Sequence, residues 1–278
     1  MHPPTILTAT ALLATHASAA CSRSALSDAT AAYIAWQTAG SPSSTSTLSL
    51  SPNLTITEND VSLPLTKSTL SQPIAIDFSR SFYDTVACAS FTELASTAKT
   101  HPYVIHTHLF FDPTTDTLKL SSVDSVVTDD GDWVFDASGY LKWTKQEKWD
   151  AIPEAKRNTR AVIKAAGDAY LDQWGNSSVQ VPFATPCARL EGGAYTGERS
   201  PTTNSCKMGA FPQPLKVANR RYVIDEEVGA VSIFNGFPWL EKSKPDGATP
   251  SSNQIRVEGG LIRYIHEVTV CETKRCGR

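Results

Sequence analysis

One order of elements occurs twice along this chain of 278 residues, and that repetition constrains the fold more than any single motif. The first helical segment runs from about Ser27 to Thr38, where Ala29, Ala32, Tyr33 and Trp36 share one face. Gly40 is a suitable stop. A Ser/Thr/Pro-rich loop follows, then extended segments at Leu48 to Leu65, Ile74 to Ser81, Ala87 to Leu94, Tyr103 to Phe111 and Leu118 to Thr128. Trp133 to Trp143 adds two short apolar segments. A second helix is expected from about Glu154 to Trp174, with Val162, Ala166, Tyr170 and Trp174 stacked at i+4 intervals. Strands follow it at Val179 to Phe183, Ala188 to Gly192, Arg220 to Asp225, Ala230 to Phe234, Gln254 to Glu258 and Leu261 to Val270. Each series ends in a long hairpin. The pattern predicts an α+β fold of two cone-like repeats of the NTF2/SnoaL type, helices set on curved antiparallel sheets. The halves are expected at residues 21–150 and 151–278, each shaped to enclose a pocket.

The N-terminus reads as a signal peptide over residues 1–20. A modest apolar stretch from Ile6 to Thr15 precedes the small residues Ala17, Ser18, Ala19 and Ala20. All six cysteines lie beyond it, and none forms a Cys-x-x-Cys pair, which disfavours zinc ribbons and thioredoxin-like chemistry. Behind a signal peptide, an even count predicts disulfides. The favoured pairs are Cys187 with Cys206, Cys21 with Cys88, and Cys271 with Cys276, out of about fifteen connectivities. Sequons at Asn53 and Asn176 predict glycosylated surface positions. Secretion is therefore the expected localisation. A formal net charge of −3 with mixed signs argues against nucleic acid as a partner. No apolar run reaches the length of a membrane span. A homodimer stays open.

Nucleophile elbows, His-Glu-x-x-His, Walker loops and dinucleotide glycine patterns are missing, so no cofactor is expected. Candidate chemistry falls on histidine and tyrosine. His106 and His108 lie two apart in one strand and share a face with Val104 and Phe110. They suit hydrogen bonding or proton transfer in a pocket, or plain packing; without a third ligand no metal is assigned. His266 interrupts the apolar face Ile262, Tyr264, Val268, Val270, which makes it either a pocket residue or a satisfied core histidine. Tyr83 and Tyr264 are further candidate donors. Trp174, Phe110 and Arg221 are candidate substrate contacts. Arg80 and Asp84 are placed to form an ion pair. Arg189 and Glu191 read as strand and turn partners. The six tryptophans, Trp239 among them, suit core anchoring or an apolar ligand cavity.

The segments "RSFYDTVACASFTEL", "HPYVIHTHLF", "VPFATPCARLEGGAYTG", "NRRYVIDEEVGAVSIFNGF" and "RVEGGLIRYIHEVTVC" resemble a family of secreted fungal proteins of largely unassigned function. The resemblance covers nearly the whole chain after residue 20. The family includes the hetero-Diels–Alderases of tropolone-sesquiterpenoid biosynthesis. It thus implies a pericyclase that joins a tropolone quinone methide to a humulene-type alkene, with apolar small molecules as partners. Such a step needs positioning and a donor on the developing oxyanion rather than a cofactor. The alternatives are a secreted small-molecule-binding protein without catalysis, or a dehydratase, cyclase or isomerase on another apolar substrate.

Overall fold

The computed structural model describes residues 21–42, 48–114, 117–209, 214–238 and 249–276. The signal peptide and Trp239 lie outside them. Among the described residues three α-helices are formed: α1 (Arg23–Ala39), α2 (Ala137–Thr144) and α3 (Arg160–Asp172). In the first half the strands are β1 (Ser49–Glu58), β2 (Val61–Ser62), β3 (Phe78–Asp84), β4 (Ala89–Ser96), β5 (Tyr103–Phe111) and β6 (Lys119–Thr128). In the second they are β7 (Phe183–Glu191), β8 (Ala194–Tyr195), β9 (Ala218–Asp225), β10 (Ala230–Phe237), β11 (Thr249–Glu258) and β12 (Leu261–Thr269).

The strands build two six-stranded sheets of matching plan, ordered β2-β1-β6-β5-β4-β3 and β8-β7-β12-β11-β10-β9. In each, four strands form an antiparallel meander and the last pairs in parallel with the first, β6 with β1 and β12 with β7. The α+β architecture in two repeats is therefore present.

Local chemistry explains the helix ends. Ser22 caps α1 by accepting from Ala25 N, and Gly40 closes it at φ 67°, a left-handed geometry suited to glycine. Thr159 caps α3 by accepting from Val162 N. The helix expected from Glu154 is thus split. Glu154–Lys156 is a separate 3-10 turn, and extended backbone at Arg157 leads to a new start. Asp136 caps α2, a helix formed where the sequence shows only short apolar segments.

Strand alternation sorts the side chains into three cores. Under α1 lie Leu26, Tyr33, Trp36, Ile105 and Leu109. Under α3 lie Ile163, Tyr170, Val231, Ile255 and Ile265. The faces turned away from these helices pack on each other, through Phe82, Phe91, Val104, Val126, Leu190, Val223, Phe234 and Val268. With both faces covered, every residue of β4 and β10 is buried.

Reciprocal ion pairs fasten the halves. Asp84, at the end of β3, takes both guanidinium nitrogens of Arg160 at 2.7 Å and accepts from Ile224 N at 2.9 Å. Asp225, at the end of β9, holds Arg23 at 2.9 Å and accepts from Tyr83 N at 2.8 Å. Arg23 and Arg160 each open a helix, so the two contacts are related by the repeat. The Arg80–Asp84 pair suggested by sequence spacing is replaced by these cross-half contacts. Arg80 instead binds Glu93 at 2.8 Å.

Three disulfides join Cys21 to Cys88, Cys187 to Cys206 and Cys271 to Cys276, the expected pairing, and they agree with a secreted protein. Asn53 and Asn176 are exposed. No helix among the described residues is long and apolar enough to cross a membrane.

Candidate functional site

The three histidines singled out from sequence do not line a cavity under a helix. His106, His108 and His266 point from the outer sheet faces into the layer between the halves, and all are fully buried. The strand periodicity placed them on one face correctly. It carried no information on whether that face meets a ligand or the other sheet.

Around them is a buried polar cluster, in which His108 Nδ1 and Glu147 Oε1 have no partner among the described residues. Tyr140 of α2 is its hub. Its hydroxyl donates to Glu93 Oε2 at 2.5 Å and lies 2.8 Å from His106 Nε2 and 3.3 Å from His266 Nδ1. His266 Nε2 meets Glu147 Oε2 at 2.6 Å, and Trp149 Nε1 donates to the same oxygen at 2.9 Å. His106 Nδ1 reaches Ser252 across the interface at 2.8 Å. His108 Nε2 reaches Ser232 at 2.8 Å while its ring stacks on Phe234.

Burial sets the protonation states, modified by charged neighbours. Burial opposes a charge on His266, but Glu147 and Glu93 outweigh it and raise its pKa to about 9. Burial drives His106 down to about 3, with Glu93 only partly opposing. His108 is pushed well below the usual range by burial and then by Arg221. Burial would raise Glu93, yet Arg80 and His266 hold it well below the usual carboxylate range. At neutral pH one charged histidine is therefore clamped between two carboxylates, beside two neutral ones. This cluster ties α2, β4, β5, β11 and β12 together.

The other sequence candidates are dispersed. Tyr83 lies at the edge between the halves under Arg23. Tyr264 stacks on Trp149, and Phe110 packs edge-on to His108. Arg221 pairs with Asp124 and Asp60 of the first half, each at 2.7 Å. Trp174 alone sits under the second sheet's helix, edge-on to Phe237.

Near Trp174 lies a second polar group, which the sequence reading missed. A polar stripe, buried on β10, β11 and β12 and half-buried on β7, crosses four strands on the α3 side of the second sheet. Asn235 on β10 accepts from Asn253 Nδ2 on β11 at 2.9 Å. Asn253 pairs in register with Glu267 on β12, and Glu267 with Glu191 on β7. Ser251 and Thr269 continue the chain to Glu267 at 2.8 and 3.1 Å. Arg189 Nη1 lies 3.6 Å from Glu191, and Trp133 Nε1 donates to Glu191 at 2.9 Å. Tyr170 of α3 faces the group, with its ring against Phe183 and its hydroxyl toward Met208 Sδ. Outside Phe183 and Met208 a groove of about 450 Å³ opens, walled by Gln173, Val181 and Asn204. Burial, and then the charge of Glu191, raise the Glu267 pKa to about 8, so it carries a proton at neutral pH.

The first half has the same positions and fills them differently. Leu94, Thr107, Ser125 and Glu58 hold the registers of Asn235, Asn253, Glu267 and Glu191. There Tyr33 meets Thr107 at 2.9 Å and Thr107 meets Ser125 at 3.0 Å, a closed set. In the second half Asn235 Nδ2, Asn253 Oδ1, Thr249 Oγ1 and Arg189 Nε are buried without a partner among the described residues. One sequence signal existed: Glu267 and Thr269 alternate with Ile265 on a strand face that packs under a helix.

A family model described as "Domain of unknown function (DUF8021)" matches residues 156–269. No curated protein and no solved structure matches the chain. The matched segment runs from the residues before α3 to the end of β12. It holds the whole stripe from Asn235 to Glu191, and of the histidine cluster's titratable groups only His266.

Proposed function

We propose that the protein is a secreted, cofactor-independent enzyme acting on apolar small molecules under α3 of its second half. Its reaction, in this reading, is the hetero-Diels–Alder joining of a tropolone quinone methide to a humulene-type alkene. The polar stripe Asn235–Asn253–Glu267–Glu191 carries the reading, because unpaired polar atoms in an apolar enclosure cost stability unless a ligand completes them. The resemblance of the chain to the pericyclase-containing family supplies the reaction. We also read each half as a cone of the NTF2/SnoaL type, supported by the shared strand order, the parallel closing pair and the helix on one face.

The residues suit the two steps. Protonated Glu267 gives its proton to the hydroxyl of a hydroxymethyl precursor, which leaves as water. Glu191 accepts the proton of the ring hydroxyl, and the quinone methide forms. Cycloaddition then makes one C–O and one C–C bond to the alkene without further proton transfer. Amide or guanidinium donors steady the charge that gathers on the oxygen. The test is to incubate the purified protein with a hydroxymethyl tropolone precursor and humulenol. Faster, stereochemically biased dihydropyran formation is expected, reduced at least tenfold by Glu267→Gln. Product identical in rate and configuration to the enzyme-free control refutes the reaction.

A second reading, binding without turnover, draws on the groove beside Met208 and Phe183. It predicts thermal stabilisation by humulenol with no new product.

A further inference from the structure

The two halves serve as internal controls for each other. At equivalent registers the first half places Leu94 and Thr107 and leaves no side-chain polar atom of the pair unpaired, whereas the second places Asn235 and Asn253. Two facing amides can exchange two hydrogen bonds. This pair makes one, at 2.9 Å, and leaves the Asn235 amide nitrogen and the Asn253 carbonyl oxygen without a partner among the described residues. Exchanging O and N in both amides swaps the roles and still leaves one of each. Both side chains are nearly completely buried. Beside them, on the same face of β10, stands Phe237, with Trp174 edge-on to it at 4.9 Å. An apolar wall thus adjoins a donor–acceptor edge.

We propose that Asn235 and Asn253 bind a small molecule through a neutral edge carrying an acceptor and a donor side by side, as a carboxamide or lactam does, with its apolar body against Phe237 and Trp174. The inference rests on the second half's helix-side space being the working site, but not on the reaction assigned to it. A carboxylate ligand is disfavoured because the Glu191 carboxylate shares the stripe. A ketone fills the donor and leaves the buried acceptor unpaired, which costs affinity.

The experiment compares benzamide, acetophenone and toluene by calorimetry on the full secreted protein. Benzamide is expected to bind about tenfold more tightly than acetophenone, one missing hydrogen bond. The control variant takes its residues from the first half, Asn235→Leu with Asn253→Thr, a pairing the equivalent site already accommodates. That variant should keep its thermal transition and lose the preference for benzamide. Equal affinity for benzamide and acetophenone overturns the donor–acceptor edge alone. A preference retained by the double variant also overturns it, by placing binding elsewhere. If none of the three probes binds, the edge and the working site fall together. Benzamide preference without cycloaddition sinks only the reaction.

Discussion

Arg160 reaches out of the second half and grips Asp84 of the first through both carboxylate oxygens, each at 2.7 Å. Asp84 also accepts from Val86 N, Ala87 N and Ile224 N, so one carboxylate caps its own turn and the neighbouring half.

Removing that carboxylate leaves three amides without a partner and Arg160 with only the Ile224 carbonyl, at 3.4 Å. Asp84→Ala should destabilise the fold by about 2–3 kcal/mol, less than for a fully buried pair because the Arg160 side chain is 31% exposed and gains water. Asp225→Ala should cost about as much, because Asp225 performs the related task with Arg23, Tyr83 N and its own turn. Urea denaturation measures both. A loss under about 1 kcal/mol at either site would refute the latch.

The histidine cluster predicts how stability depends on pH. The folded His266 pKa of about 9 lies above the unfolded value. Its contribution is complete below about pH 6.5 and is lost as pH rises through 9. His106 is displaced the other way, to about 3, so acid favours the unfolded chain between about pH 6.5 and 3. His266→Gln should therefore lower stability at neutral pH and flatten its decline between about pH 6.5 and 9. Melting temperatures across that range test this, and an unchanged alkaline slope contradicts it.

Glu267 gives a separate signature. Its folded pKa of about 8 is raised, so folding binds a proton and stability falls with rising pH between about 4.5 and 8. Glu267→Gln keeps the volume and removes the charge. The variant should be as stable as the parent near pH 5 and more stable at pH 8. Equal stabilities at pH 8 would show that Glu267 does not hold its proton.

Cys187 and Cys206 close a loop between positions 19 apart in sequence. Replacing both by serine should cost about 3 kcal/mol through the larger freedom of the unfolded chain. Because this loop carries Asn204 and leads directly into Met208 at the groove, binding of humulenol should weaken in the same variant. Calorimetry with and without the probe separates the two effects.

The helix-and-strand repetition, the disulfide pairing and the shared face of His106 and His108 were legible in the sequence because each follows from local periodicity or cysteine spacing. The partner of that face was not legible. A half-apolar strand face reads the same whether it meets a ligand or another sheet, and only the docking of two sheets buries His106 against Ser252. The Asn235–Glu191 stripe was hidden for a related reason. Its residues lie on four strands far apart in sequence and become one group only through register. Arg80 and Asp84 show the opposite error, in which closeness along the chain suggested a contact that longer-range partners took over.

The face-to-face packing of the sheets resembles two subunits meeting about a dyad, yet both belong to one chain. A symmetric pair must make every interface position compatible with a copy of itself, so any change strikes twice. Covalent joining lifts that restriction. His106 can stand opposite Ser252, and a closed Tyr33–Thr107 contact can coexist with an open Asn235–Asn253 pair, since each position varies alone. The unrepeated helix α2, with Tyr140 inserted between the sheets, fixes which half plays which part. Division of labour between scaffold and working half is thereby available to a molecule that needs no second copy to complete its interface.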